Sequence, residues 1–152
     1  MKVLILGGNF NKSGGTERVG SMLANDLSEA GYEIVLGSIL YGDKPFFPIN
    51  KDIKVVSLFN SPGRTLYRTP RIVYEIRKLL KEECIDTLIV VETMAVLFTI
   101  PATLGVLVNH ICWEHFNFNS NLGKKGRRIA RQLAARYCDS IVTLTERDKE
   151  YW

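Results

Sequence analysis

The chain has 152 residues, of which 46% are hydrophobic and 24% charged, and its 20 Lys and Arg against 16 Asp and Glu give a net charge of +4. This is the composition of an ordinary globular protein of one domain's length, short for a two-domain enzyme. So mild a basic excess does not by itself point to nucleic acid. The three cysteines form no Cys-x-x-Cys pair, and their apolar neighbours indicate buried thiols in a reducing compartment.

Apolar runs of strand length alternate with helical periodicities along the whole chain. Buried strands are predicted at residues 2–6, 34–39, 53–58, 86–91, 106–112 and 140–144. Helices are predicted from Glu17 to Gly31, after a Thr69 cap with Pro70 at the first helical position, at 93–103 and 126–137, and from Thr145. The alternation predicts an α/β fold with a doubly wound, Rossmann-like parallel sheet.

One stretch, residues 93–113, contains no Asp, Glu, Lys or Arg and is of borderline length for a membrane span. Pro101 and Gly105 interrupt it, so that it divides into a buried helix and a buried strand. At the N-terminus, Lys2 is followed by only four apolar residues, too few for the core of an export signal. We therefore expect a protein that is not integral to a membrane.

In a doubly wound sheet, ligands bind beyond the carboxyl ends of the strands. The first such loop, residues 7–16, has the sequence Gly-Gly-Asn-Phe-Asn-Lys-Ser-Gly-Gly-Thr and leads into a helix. Glycines let backbone approach a ligand, and a helix N-terminus attracts phosphate. A tight connection without a ligand is the alternative. The glycine spacing matches neither the dinucleotide fingerprint nor a P-loop, and the second strand lacks the acidic residue that a nicotinamide enzyme needs.

The chain has two histidines, five positions apart. His110 falls inside the fifth predicted strand, where a satisfied, partly buried histidine is the simpler interpretation. His115 follows the end of that strand, in a polar cluster with Trp113, Glu114 and Asn117, and is the better candidate for chemistry. No Cys and His cluster has the spacing of metal ligands, so no metal site is predicted.

Four segments together resemble the start of a bacterial GT-B glycosyltransferase of glycosyltransferase family 4. They are Ser-Gly-Gly-Thr-Glu-Arg-Val at 13–19, Gly-Tyr-Glu-Ile at 31–34, Trp-Glu-His at 113–115 with Asn117 after it, and Arg-Tyr-Cys-Asp-Ser-Ile-Val at 136–142. The second departs from the family, where histidine is commoner than tyrosine. The resemblance covers essentially the whole chain, and the Gly-Gly-Thr-Glu-Arg set is its most specific part.

The resemblance implies the N-terminal, acceptor-side half of a GT-B fold, with residues 1–152 as one domain. Enzymes of this kind have a second Rossmann-like domain that recognises most of the nucleotide sugar, and that domain is absent here. The expected activity of the full-length enzyme is retaining hexosyl transfer from a nucleotide sugar to a saccharide or lipid-linked acceptor, in bacterial surface polysaccharide or glycolipid assembly. No metal or other cofactor is expected, and the isolated domain should be inactive.

The resemblance also assigns roles to single residues. It places His115 near the reacting sugar, where an imidazole can hold hydroxyls or stabilise charge. The donor diphosphate is expected at Gly14, Gly15 and Thr16, and the acceptor at Arg18, Glu92 and Asn117. A structural and a functional role for Glu114 are equally compatible with its position beside His115.

The predicted helix 126–137 has an apolar stripe at Ile129, Leu133 and Ala134. Basic residues precede it and cover its other face, where we predict contact with anionic lipid headgroups: Lys124, Lys125, Arg127, Arg128 and Arg131. A merely solvated face is the alternative. A cytoplasmic protein, peripheral on the inner face of the membrane and without nucleic acid as partner, is expected. The competing function is a phosphate- or nucleotide-binding module that docks at a membrane without chemistry.

Overall fold

The computed structural model describes residues 1–61, 68–116 and 126–152. Their strands form one parallel six-stranded sheet in the order β3-β2-β1-β4-β5-β6. In chain order the elements are β1 (Lys2–Gly7), α1 (Gly15–Glu29), β2 (Glu33–Ser38), β3 (Lys54–Ser57), α2 (Thr69–Glu82), β4 (Thr87–Val90), a 3₁₀ turn (Thr93–Ala95), α3 (Val96–Thr103), β5 (Asn109–Trp113), α4 (Gly126–Tyr137), β6 (Ser140–Val142) and α5 (Glu146–Lys149). The predicted doubly wound α/β fold is confirmed.

Strand β1 lies at the centre because its apolar residues are covered on both faces. Leu4, Ile5 and Leu6 are completely buried. Leu4 and Leu6 belong to the larger core cluster, with the apolar faces of α2 and α3, whereas Ile5 belongs to a smaller cluster with Phe10 and α1. Burial on alternate sides explains why the strand is a continuous apolar run rather than an alternating one.

The direction of winding reverses at β1. From β1 the chain runs outward through β2 to β3, then returns to the other side of β1 as β4 and continues to β6. The adjacent ends of β1 and β4 therefore form the topological switch point, where doubly wound proteins open a crevice for ligands. The glycine loop and Glu92 lie at this crevice.

The predicted starts of β5 and α2 were wrong. Strand β5 begins at Asn109, three residues later than predicted, because Gly105 adopts a positive φ of 68° and Val106 N–H bonds the Thr103 carbonyl in a turn. Helix α2 already includes Thr69, its N-cap is Arg68, and no side chain caps it. Within the described ranges, no helix is long and apolar enough to span a membrane.

Candidate functional site

The polar residues that are candidates for binding or catalysis lie at the carboxyl ends of three neighbouring strands. Strand β1 leads into the glycine loop, β4 into Glu92, and β5 into Glu114 and His115. Two strand spacings separate the ends of β1 and β5, which is about 10 Å. Residues far apart in sequence thus lie within reach of one small molecule.

A buried phenylalanine anchors the glycine loop. Phe10 is 1% exposed, and its backbone N–H donates to Ser38 Oγ at 3.1 Å. A Cβ at Gly7 or at Gly20 of α1 would come within 2.8 Å of its ring. Both positions need glycine for the same steric reason, since a methyl group there would displace the ring.

Backbone hydrogen bonds attach the same loop to the connection after β2. Ile39 N–H donates to Gly7 O and Leu40 N–H to Gly8 O, both at 3.0 Å, and Phe46 N–H donates to Phe10 O at 2.9 Å. A Cβ at Gly8 or Gly15 would meet no atom within 4 Å, so these two glycines face open space. The loop combines a fixed base with backbone that a ligand can approach.

The N-terminus of α1 carries its own carboxylate. Gly14 is the N-cap without a side-chain cap, and a Cβ there would collide with the carboxylate of Glu17 in the first helical turn. A negative charge at this end of a helix is stabilising. Thr16 and Glu17 line a narrow cleft of about 20 Å³, with Glu92 opposite them. An anion bound at the helix end would have to share it with Glu17 or displace that side chain.

A larger cleft of about 260 Å³ opens beside the glycine loop. Its walls are mainly apolar, from the connection after β2 and from the 3₁₀ turn and α3, and Glu92 lies on its border: Gly8, Ile39, Leu40, Glu92, Met94, Ala95 and Phe98. Apolar walls with one convergent charged group are typical of small-molecule sites. Glu92 therefore borders both clefts, whereas Arg18 lies on the exposed surface of α1.

The prediction of a basic surface was wrong for two of its arginines. Arg127 is 0% exposed and Arg131 is 4% exposed, and both bind Glu114, itself 1% exposed. Arg127 Nη1 lies 3.4 Å from Glu114 Oε1, and Arg131 Nε lies 2.9 Å from Glu114 Oε2. Arg127 Nη2 reaches Glu92 Oε1 at 3.2 Å. These four side chains carry two charges of each sign, and we call them the buried ion-pair cluster, although Glu92 is 29% exposed.

The carboxylates explain why α4 turns its arginines inward. A buried charge is tolerated when it is paired and hydrogen-bonded, and the ends of β4 and β5 supply a Glu each. Positions 127 and 131 share one face of the helix, so this face packs on the strand ends. Ile129, predicted to be buried, is instead 56% exposed, whereas Ala134 is buried as predicted.

His115 stacks on the last residue of β5. Its ring centroid lies 4.6 Å from that of Trp113, with 39° between the planes. His115 Nε2 is buried and has no hydrogen-bond partner among the described residues. Burial lowers the pKa of His115, an effect that the charge of Glu114 opposes. The imidazole is therefore held mainly neutral near pH 7.

His110 occupies a different environment near the start of β5. Its Nε2 lies 3.0 Å from Thr99 Oγ1, its Nδ1 lies 3.8 Å from Cys138 Sγ, and its backbone N–H donates to Asp139 Oδ2 at 2.7 Å. Burial lowers its pKa to about 4, which Asp139 only partly offsets. The interpretation of His110 as a satisfied, buried histidine is confirmed.

Comparison with known proteins assigns the chain to a family. The model of Glycosyltransferase Family 4 matches residues 13–152. The chain belongs to glycosyltransferase family 4. It is 38% identical over 144 residues to an uncharacterized glycosyltransferase of Haemophilus influenzae, and this match covers 95% of the chain and 40% of the relative.

Solved structures show the same fold. The lipopolysaccharide outer core galactosyltransferase WaaB, in its apo form, superposes with a TM-score of 0.71 at 21% identity, over 99% of this chain and 41% of WaaB. Anabaena HepE in complex with UDP also gives 0.71, at 17% identity, over 99% of this chain and 39% of HepE. The chain spans about 40% of the length of the proteins that it matches. Its fold is that of the N-terminal half of a GT-B glycosyltransferase.

The structure brings together most of the residues singled out in this family 4 chain. Gly14, Gly15 and Thr16 form the start of α1, and Glu92 and His115 lie at adjacent strand ends. Three other predicted residues lie outside the described residues: Asn117, Lys124 and Lys125. Arg128 is exposed on α4 as predicted. In the part of the chain that the structure describes, no group of three His, Cys, Asp or Glu side chains could hold a metal ion.

Sequence reasoning missed the buried ion-pair cluster and the anchoring role of Phe10. The signal for the cluster was present, because Arg127 and Arg131 are four residues apart on one helix and Glu92 and Glu114 each follow a strand. Its meaning depended on the packing angle of α4, which local pattern does not give. For Phe10, a single large apolar residue inside a glycine-rich loop was the available signal.

Proposed function

We propose that the chain is the acceptor-side domain of an enzyme that transfers a sugar from a nucleotide-sugar donor to a saccharide or lipid-linked acceptor. The observation that carries the proposal is the convergence of the open glycine loop, Glu92 and His115 on three adjacent strand ends of a family 4 chain. HepE, which shares the fold, is described in complex with UDP and with UDP-glucose. A nucleotide-sugar donor is consistent with both observations.

The glycine loop would serve the leaving group. When the bond between the anomeric carbon and the donor phosphate breaks, negative charge grows on the nucleoside diphosphate. The backbone N–H groups of Gly15 and Thr16, which have no acceptor within a helix that begins at Gly15, and the positive end of α1 would stabilise this charge. Movement of the Glu17 carboxylate away from Gly14 would free the helix end for it. A second domain, beyond residue 152, would hold most of the nucleotide.

His115 would bind the reacting sugar. A buried polar atom without a partner is costly, so His115 Nε2, which has no partner among the described residues, is a natural place for a bond to a substrate hydroxyl. The mainly neutral imidazole can accept or donate such a bond according to its tautomer. The apolar cleft beside Glu92 would take the acceptor, with the carboxylate at its border as hydroxyl partner, and Arg18 would contribute from the surface of α1. Asn117, which lies outside the described residues, is proposed as a further acceptor ligand.

The test is donor turnover by the full-length protein. His115→Ala is expected to lower the rate of sugar transfer about 100-fold or more, if the imidazole contacts the reacting groups. Leu107→Ala is the control, because this side chain is exposed at the opposite end of β5. Full activity of His115→Ala would remove His115 from the mechanism. Efficient turnover by residues 1–152 alone would contradict the two-domain enzyme.

Further properties belong to the same proposal. Transfer is proposed to retain the anomeric configuration without a metal ion, which product stereochemistry and an assay in EDTA would test.

The acceptor is proposed to belong to bacterial surface polysaccharide or glycolipid assembly at the cytoplasmic face of the membrane. The exposed Arg128 and Ile129 support contact with that surface, although the buried arginines do not contribute. Undiminished co-sedimentation of Arg128→Glu with anionic vesicles would count against it.

A further inference from the structure

We propose that Glu114 and Arg131 are positioning residues for His115, holding the turn that carries its imidazole against α4. The proposal deepens the role of His115 and rests on it. Neither residue needs to touch a substrate. Their effect on transfer would pass entirely through the orientation of the His115 ring.

Glu114 contacts the backbone beyond His115. Glu114 Oε1 accepts the N–H of Phe116 at 3.1 Å, so that side chain and backbone close a short turn around His115. On the other side, Glu114 N–H donates to Val142 O at 2.9 Å, which ties this residue to the end of β6. Glu114 therefore holds the backbone on both sides of His115, as acceptor for Phe116 N–H and as donor to Val142 O.

Two arginines of α4 bind the same carboxylate. Glu114 Oε2 accepts the Nε–H of Arg131 at 2.9 Å, and Arg127 adds a longer contact of 3.4 Å to Oε1. The Arg127 guanidinium lies over the ring of Phe116, 4.4 Å from its centroid. The helix thus holds the turn through both the carboxylate before His115 and the ring after it.

The ion pairs of Glu114 provide directed contacts that apolar side chains would not. Replacing a buried ion pair by apolar residues of similar volume often leaves stability unchanged or increases it. Guanidinium and carboxylate, however, meet in fixed directions, which apolar contacts do not impose. With both faces of the turn fixed, the His115 ring stacks on Trp113, and its Nε2 has no hydrogen-bond partner in the part of the chain that the structure describes.

The experiment compares two identical substitutions on one helix, Arg131→Met and Arg136→Met. Arg131 binds Glu114, whereas Arg136 is exposed in the last turn of α4. Ring resonances of the two histidines are recorded in the 152-residue chain, together with exchange of the Phe116 amide. Arg131→Met is expected to shift or broaden the His115 signal and speed Phe116 exchange about tenfold. The signal of His110 should stay in place, and Arg136→Met should change neither histidine.

In the full-length enzyme, Arg131→Met is expected to lower kcat about 100-fold by misplacing the imidazole, with the donor KM nearly unchanged. If Arg131→Met does not fold, Arg131→Lys carries the test, because it keeps the charge but cannot reproduce the directed Nε bond. Unaltered His115 and Phe116 signals in the folded variant would overturn the proposal, as would equal shifts of both histidines. If the His115 ring is displaced in Arg131→Met but His115→Ala keeps full activity, only the catalytic role of His115 is refuted.

Discussion

Two glutamates each hold two cationic side chains, at opposite ends of the same sheet. At the amino ends of the strands, Glu83 lies 2.7 Å from Lys2 Nζ and 2.7 Å from Lys54 Nζ. At the carboxyl ends, Glu114 holds Arg127 and Arg131. The number of charges is the same, but the first group lies at the surface and the second is buried.

The two groups differ in whether water can solvate a charge that has lost its partner. Lys54 is 58% exposed, so solvent and salt screen its attraction to Glu83, and its flexible stem loses entropy when it is held. The Glu114 group has almost no access to water, so solvent does not replace a partner that is lost there. Its arginines also provide directed donors, which lysines do not. We therefore expect the surface group to be replaceable and the buried group not to be.

The largest effect that would test this comparison is the loss of the buried carboxylate. Glu114→Gln leaves two buried guanidinium groups with Glu92 as their remaining carboxylate among the four side chains of the cluster. Breaking a buried pair in this way is expected to lower the free energy of unfolding by about 3–5 kcal/mol. Urea denaturation at pH 7 measures the change.

The control for Glu114→Gln is the double variant Glu114→Gln/Arg131→Gln. It removes one charge of each sign, so that the buried cluster stays neutral. It should therefore recover a substantial part of the lost stability, as expected for coupled neighbours. A double variant less stable than the single one would show that net charge is not what the buried cluster balances.

The fold could be predicted from sequence because its signals are local. The apolar run at Lys2–Leu6 and the helical stripe at Ile72 and Ile76 depend on neighbours in the chain, and a strand and a helix formed over them as predicted. The boundary of β5 could not be read in the same way. Residues 106–108 are apolar enough for a strand, but the turn at Gly105 delays pairing until Asn109.

The candidate site was less predictable because it depends on which way helices face. For α4, the arginines were expected to face solvent and Ile129 the core, since charged side chains are seldom buried without partners. The partners come from two strand ends, so only the tertiary structure shows that burial is compensated. The glycine loop was recognised from its sequence, whereas the Glu17 carboxylate over Gly14 was not.

The response of folding stability to acid is expected to depend on the buried His110. The pKa of His110 is lowered to about 4 in the folded protein, below its ordinary value of 6.5. The unfolded chain therefore binds more protons between these values, and stability falls as the pH drops through this window. From pH 7 to pH 5 the expected loss from His110 is about 2 kcal/mol.

His110→Gln should remove the part of the stability loss between pH 7 and pH 5 that comes from His110. This holds whatever effect the substitution has on stability at pH 7. The lowered pKa of His115 acts in the same direction and is retained in the variant. The Glu83 group contributes little here, because hydrogen bonds from Lys2 and Lys54 lower the pKa of Glu83 below 4.5 and keep it ionised above pH 5. An unchanged pH dependence in His110→Gln, measured by urea denaturation, would place the acid response elsewhere.

The smallest expected effect belongs to the surface group. Glu83→Gln removes the carboxylate shared by Lys2 and Lys54, yet water can solvate both ammonium groups once it is gone. The thermal midpoint is expected to fall by no more than about 3 °C at low salt. In about 0.5 M NaCl the difference from the unsubstituted protein should shrink further, because the Debye length is then only a few ångströms.

Glu114→Gln is the control and should keep its full loss of stability in the same salt. A salt-independent loss in Glu83→Gln, as large as that in Glu114→Gln, would show that burial does not separate the two groups.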